Sequence, residues 1–177
     1  SWIVKEDGHM SEKKRWICLY VENEIGVLAR ISGLFSGKSY NLNSLTVGET
    51  EDTTISRMTI SFTSDDRIFE QVKKQLNRSV EVIKVVDYTD IPIHNKEILF
   101  IKVKECNTDD KDEVFRIANA FNFRITDYDK KNILVECLQT ENQNNDAIKL
   151  FKQSFPNRIE VVRGGSVAVE AISMSER

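Results

Sequence analysis

The chain has 177 residues, 40% apolar and 30% charged, with a formal net charge of −3 at pH 7. That balance suits one ordinary folded domain or two small ones with a real core. It lacks the excess positive charge of a nucleic-acid or anionic-membrane binder, and no apolar run reaches the roughly 20 residues that span a bilayer. The three cysteines, Cys18, Cys106 and Cys137, lie far apart in strand-like runs. Odd in number and scattered, they read as buried thiols in a reducing cytosol rather than as disulfide or metal ligands. No secretory signal pattern opens the chain. Gly8-His9-Met10 has the look of an expression scar, so residues 1–9 are set aside and the functional reading starts at Met10.

From Arg15 to Glu22 the run RWICLYVE predicts a buried strand. Asn23-Glu24-Ile25-Gly26 breaks it. Val27, Leu28, Ile31, Leu34 and Phe35 then recur at helical spacing, and Gly37 is a natural helix stop. A second strand is expected over Leu42–Gly48 and a third, after the polar turn 49–54, over Ile55–Thr63. In the third, Met58, Ile60 and Phe62 alternate with Arg57, Thr59 and Ser61, the habit of an antiparallel sheet with one buried face. Ser64-Asp65-Asp66 places caps and negative charge ahead of a helix carrying Ile68, Phe69, Val72 and Leu76. Val80–Asp87 closes the unit as a strand.

The order is β-α-β-β-α-β, the ferredoxin-like arrangement. Residues 88–96, with Pro92, read as a linker. The same order then recurs: strand Ile98–Val103, helix Asp110–Phe121, a hairpin of Arg124–Tyr128 and Ile133–Leu138, helix Asp146–Phe155, and strand-like runs Ile159–Val162 and Ser166–Ala171 around Gly164-Gly165. The fold class is thus α+β, with two ferredoxin-like domains at 10–87 and 97–177. Each sheet needs cover on its second face, which another subunit can supply.

Catalytic tools are scarce. His9 falls in the presumed scar and His94 stands alone in the linker. No Cys/His cluster has metal spacing, no nucleophile sits in a recognisable histidine motif, and there is no phosphate-binding loop. The pattern favours a binding module over an enzyme. One feature suits binding: the Asn23–Gly26 loop leads straight into a helix at Val27, where unpaired N–H groups attract an anion such as a carboxylate. Gly26 lets a ligand approach the backbone, and Asn23 offers donor and acceptor. The plainer reading is a turn glycine and a capping asparagine. Asn41-Leu42 at the start of the second strand is either an Asx turn or an amide that holds a polar ligand while Leu42 packs on its aliphatic part. An RNA-binding sheet would need aromatic residues on its third strand, and TISRMTISF has no aromatic pair.

Residues 21–58 resemble the N-terminal ACT domain of acetolactate synthase small subunits. The resemblance rests on Asn23-x-x-Gly26-x-Leu28, Gly33–Ser36, Tyr40–Val47 and Ser56-Arg57-Met58-Thr59, with Gln71–Asn77 in support. Glu160–Arg163 followed by Val167–Val169 looks like that family's closing strand pair. The resemblance implies a non-catalytic regulatory subunit. Such a chain activates a thiamine-diphosphate large subunit in branched-chain amino-acid synthesis and makes it sensitive to valine. It also implies a homodimer formed through ACT domains, with valine between two chains. Thiamine diphosphate, Mg and FAD are then expected on the catalytic partner and no cofactor on this chain, with no nucleic acid and no membrane among its partners. Carried onto this sequence, Asn23, Gly26, Val27 and Leu28 would meet valine from one chain, and Asn41 and Leu42 from the other. Thr46 and Gly48 match positions whose substitution relieves feedback inhibition in the family. Ala29 and Gly48 depart from its common Ser and Ala. A free-standing ACT-type amino-acid sensor with another partner is the alternative.

Overall fold

The structure is a computed structural model and describes residues 12–36 and 41–173. The expectations placed on residues 1–11, Gly37 and Tyr40 lie outside the described residues. In chain order the elements are β1 (Lys13–Glu22), α1 (Val27–Leu34), β2 (Asn41–Glu49), β3 (Ile55–Ser64), α2 (Asp66–Arg78), β4 (Val82–Asp87), β5 (Ile93–Val103), α3 (Thr108–Phe121), β6 (Arg124–Tyr128), β7 (Ile133–Gln139), α4 (Glu141–Ser154) and β8 (Ile159–Glu170). They form two four-stranded sheets, ordered β2-β3-β1-β4 and β6-β7-β5-β8. The chain divides into two units, one running through His94 and taking in the end from Ala168, the other Asn95–Val167.

In the first unit β1 pairs antiparallel with β3 and β4, and β2 pairs with β3, leaving β2 and β4 as edges. Alternation decides the layers. Ile17, Leu19 and Val21 of β1 and Met58, Ile60 and Phe62 of β3 face Val27, Ile31, Phe69, Val72 and Leu76 from the helices, forming one core. Phe62 is fully buried between Phe35 and Phe69, with ring centroids 5.7 and 5.9 Å away. Asp65 caps α2, its side chain accepting from the Ile68 N–H at 2.8 Å, and Arg78 sits in the last turn where a cation suits the helix dipole.

The other face of this sheet carries a smaller cluster in which Cys18, Tyr88 and Ala168 are buried among Trp16, Tyr20, Val86, Ile91 and Ile93. The first sheet therefore draws part of its second-face cover from its own chain. Residues 88–92 are held there by the Tyr88 N–H donating to the Trp16 carbonyl (2.9 Å) and the Ala171 N–H donating to the Pro92 carbonyl (2.9 Å). β5 begins at Ile93, so the strand takes in residues 93–96 that the sequence leaves irregular.

In the second unit Leu99, Ile101 and Val103 of β5 and Ile133, Val135 and Cys137 of β7 pack on Val114 and Ile117 of α3 and Phe151 of α4. Both helices open with capping boxes, Asn107 with Asp110 and Thr140 with Gln143. α4 starts five residues before the expected Asp146, because Thr140 and Gln143 close the box and Glu141-Asn142-Gln143-Asn144-Asn145 is a polar first turn without apolar period. The two strand-like runs around Gly164-Gly165 are one strand, β8. A Cβ on Gly164 would come within 2.6 Å of Ile98 Cγ2, so glycine is what lets β8 lie this close to β5. The adjoining Gly165 has φ +80°, which no L side chain adopts freely. All three cysteines are free and buried. Desolvation, with Glu136 adding a like charge, pushes the Cys137 thiol up to about 12.

Candidate functional site at the start of the first helix

Gly26 ends the β1–α1 loop in the left-handed region (φ +86°) and is the N-cap of α1. A glycine there avoids the strain another residue would carry. It brings no side chain, so none caps the helix, and no acidic residue lies in the first turn. The Val27 N–H turns back to the Glu24 carbonyl at 3.3 Å, and the rest of the first turn, with the positive end of the helix dipole, suits an incoming anion.

Beside this helix start lies a cleft of about 280 Å³, open on one side. Its apolar wall is Val21, Val27, Leu28, Val47 and Met58, and its polar wall is Glu22, Asn23, Glu24, Gly48, Glu49 and Ser56. The three carboxylates supply negative charge that suits an ammonium group. The site can therefore hold a zwitterion with a small aliphatic side chain: a helix N-terminus for the carboxylate, acidic residues for the ammonium, valine and methionine side chains for the rest.

Of the residues singled out in the sequence, the structure brings Asn23, Val27, Leu28 and Gly48 to this cleft, with Gly26 adjoining as the cap. Val27 is almost fully buried and forms the floor. Asn23 is not a helix cap. Its side-chain N–H donates to the Thr53 carbonyl (3.0 Å) and its backbone N–H to the Thr54 carbonyl (2.9 Å), which pins the loop to the β2–β3 turn. Asn41 and Leu42 sit at the far end of β2, exposed, and Leu42 pairs with Phe62 rather than with any cleft residue. Thr46 pairs with Thr59, and by strand alternation its side chain leaves on the face opposite Val47. Ile25 is fully exposed and takes no part in the apolar slot.

Glu22, Glu24, Glu49, Val47, Ser56 and Met58 are cleft residues that the sequence reading did not single out. Glu24 was within reach of it, as the residue between Asn23 and Gly26. Glu49 and Ser56 were not, because only the pairing of β2 with β3 brings Glu49 opposite Ser56.

Among the described residues no group of His, Cys, Asp and Glu could hold a metal ion, and no helix is long and apolar enough to cross a membrane.

Known protein families match both halves of the chain. Residues 17–84 match the family described as an AHAS small subunit-like ACT domain, and residues 96–172 match the small subunit of acetolactate synthase. The acetolactate synthase small subunit of Aquifex aeolicus is 42% identical over 158 residues, which is 89% of this chain and 81% of that protein. The probable small subunit of Archaeoglobus fulgidus is 38% identical, over 88% of this chain and 96% of that one. The isozyme 3 small subunit of Escherichia coli is 34% identical, over 88% and 94%. The crystal structure of the Thermotoga maritima small subunit superposes with a TM-score of 0.78 at 29% identity, covering 90% of this chain and 98% of that one.

Proposed function

Because the chain belongs to the acetolactate synthase small-subunit family, we propose that it is the regulatory subunit of an acetolactate synthase. In this reading it binds the large subunit, raises its activity, and makes it sensitive to valine. Thiamine diphosphate, Mg and FAD belong to the large subunit, and the work is cytosolic. The observation that carries the valine assignment is the cleft itself, where an uncapped helix N-terminus, three carboxylates and an aliphatic wall meet in one small volume.

Valine's carboxylate faces the first turn of α1 beside Gly26, its ammonium faces Glu22, Glu24 or Glu49, and its side chain lies against Val27, Leu28 and Val47. The cleft is open, and the edge strand β2 shows Leu42 and Val47 about half exposed, with Ile25 bare beside α1. A second copy of the chain laid along β2 covers these groups and closes the site. Asn41 and Leu42, too far along β2 to serve their own cleft, then serve the partner's. Valine shifts activity only by favouring an arrangement that couples poorly to the large subunit, and such coupling is typically about 1–3 kcal/mol.

The test is acetolactate formation by the cognate large subunit, titrated with this chain, with and without valine. Saturable activation that valine reverses is the expected result. Activation without valine sensitivity would keep the partner and remove the effector site. A folded chain that gives no activation would overturn the proposal.

A further inference from the structure

The Ser56-Arg57-Met58-Thr59 run contains a charged residue that the cleft does not use. Ser56 and Met58 line the cleft, so by alternation Arg57 leaves β3 on the opposite face of the sheet. There its guanidinium reaches three separate segments. Nε donates to Cys18 Sγ of β1 at 2.8 Å. Nη2 donates to the Tyr88 hydroxyl at 3.3 Å and to the carbonyl of Ala168, near the end of β8, at 2.7 Å. The charge also lies 5.8 Å from the Tyr20 ring centroid. Tyr88, Cys18 and Ala168 are all buried, so this is a desolvated anchor rather than a surface contact.

We infer that Arg57 is a positioning residue that ties the state of the effector cleft to the segment following Val167. The inference rests on the effector reading above. Arg57 stands between two cleft residues in sequence and opposite a third, Gly48, in the β2–β3 register. A ligand that shifts or twists the strands at 47–49 and 56–58 moves the Cα of Arg57 with them. Hydrogen bonds weaken steeply beyond about 3.5 Å, so a small movement exchanges a held Ala168 for a released one. The strand that carries Ala168 is continuous with residues 159–167. Arginine is required because its planar fork serves divergent acceptors at once. A lysine ammonium keeps the charge and cannot reproduce that geometry.

Hydrogen–deuterium exchange on the full chain, with and without saturating valine, reads the link at the amides of Ala168–Ala171, and calorimetry gives valine affinity in parallel. In the unsubstituted chain valine changes exchange in this segment by about 5-fold or more, the lower end of ordinary coupling. In Arg57→Lys valine still binds, and the response of the segment is lost. A merely structural staple would raise exchange in Arg57→Lys with and without valine alike and leave the ratio intact, which would overturn the inference. So would an unsubstituted segment whose exchange ignores bound valine. Tyr88→Phe removes one of the guanidinium's acceptors and little else, so it shows a reduced ratio even if Arg57→Lys does not fold. An unchanged ratio there is likewise a refutation. Valine that fails to bind the unsubstituted chain overturns the effector reading itself, a different result from bound valine without a response.

Discussion

Single positions around the cleft separate its parts. Val47 lines the cleft from a half-exposed place on an edge strand, where an aromatic is a good strand former. Val47→Phe fills the slot and is expected to weaken valine by about tenfold or more, roughly 1.4 kcal/mol, with little change in melting temperature. Isothermal calorimetry decides, and undiminished affinity would place valine elsewhere. Gly26 needs a paired design. At φ +86° any side chain is strained, and its Cβ would come within 3.0 Å of Arg30 Nη1, the movable end of a chain that also pairs with Glu81 at 2.6 Å. Gly26→Asp and Gly26→Asn share that strain, about 1 kcal/mol or more, and differ in charge. Loss of valine in the aspartate variant beyond the loss in the asparagine variant isolates repulsion of the carboxylate. Gly48 is a different glycine: its φ is ordinary, and an added Cβ meets nothing within 4 Å. Gly48→Ala is therefore expected to stabilise the chain by about 0.4–1 kcal/mol by restricting the unfolded state, as urea denaturation would show.

At the scale of elements, the start of α3 combines a cap with a long-range tie. The Asp110 carboxylate accepts from the Asn107 N–H (3.0 Å) and from both Arg158 Nη atoms (2.8 and 3.3 Å). The Arg158 bond, then the backbone bond from Asn107, hold its pKa below the usual carboxylate range. A depressed folded pKa contributes stability that is present above the unfolded value and lost as pH falls through the folded one. Unfolding followed between about pH 5 and pH 2 is thus expected to show a decline in the second unit that Arg158→Met flattens, the unfolded carboxyl titrating near 3.9. An acid limb of the same slope in the variant would refute this. The strand β3, with its clear alternation, was legible in the sequence nearly to the residue, and so was the start of α2 at its Asp65 cap. The first turn of α4 was not, since Glu141–Asn145 advertises polarity while its stability comes from Thr140 and Gln143. Nor was the buried Glu97, which accepts from Arg163 Nε (3.0 Å) and Nη2 (2.7 Å) and from Asn144 Nδ2 (3.0 Å). These groups are far apart in sequence and meet only through the β5–β8 pairing and the docking of α4. The cleft divides in the same way. The loop half, Asn23 to Leu28, is local and could be read, and the half supplied by β2 and β3 depends on a register that no short motif encodes.

For the whole molecule, the two cores share no residue, one built around Phe62 and the other around Phe151. Phe62→Ala is expected to cost about 3–5 kcal/mol, felt first in the unit that holds the cleft. Self-association belongs to this scale as well. If a second chain lies along β2, Leu42→Lys places a charge in that contact, and sedimentation should show a monomer at concentrations where the unsubstituted chain is paired. A dimer that survives the lysine would move the contact away from β2. The buried thiols have a practical consequence. Cys18 belongs to one unit and Cys106 and Cys137 to the other, and none is open to a reagent while its surroundings stay folded. Each cysteine is therefore a clock for its own half: the time at which it takes up a maleimide, read by mass spectrometry, gives the order in which the halves open, and a bound effector should slow the Cys18 clock.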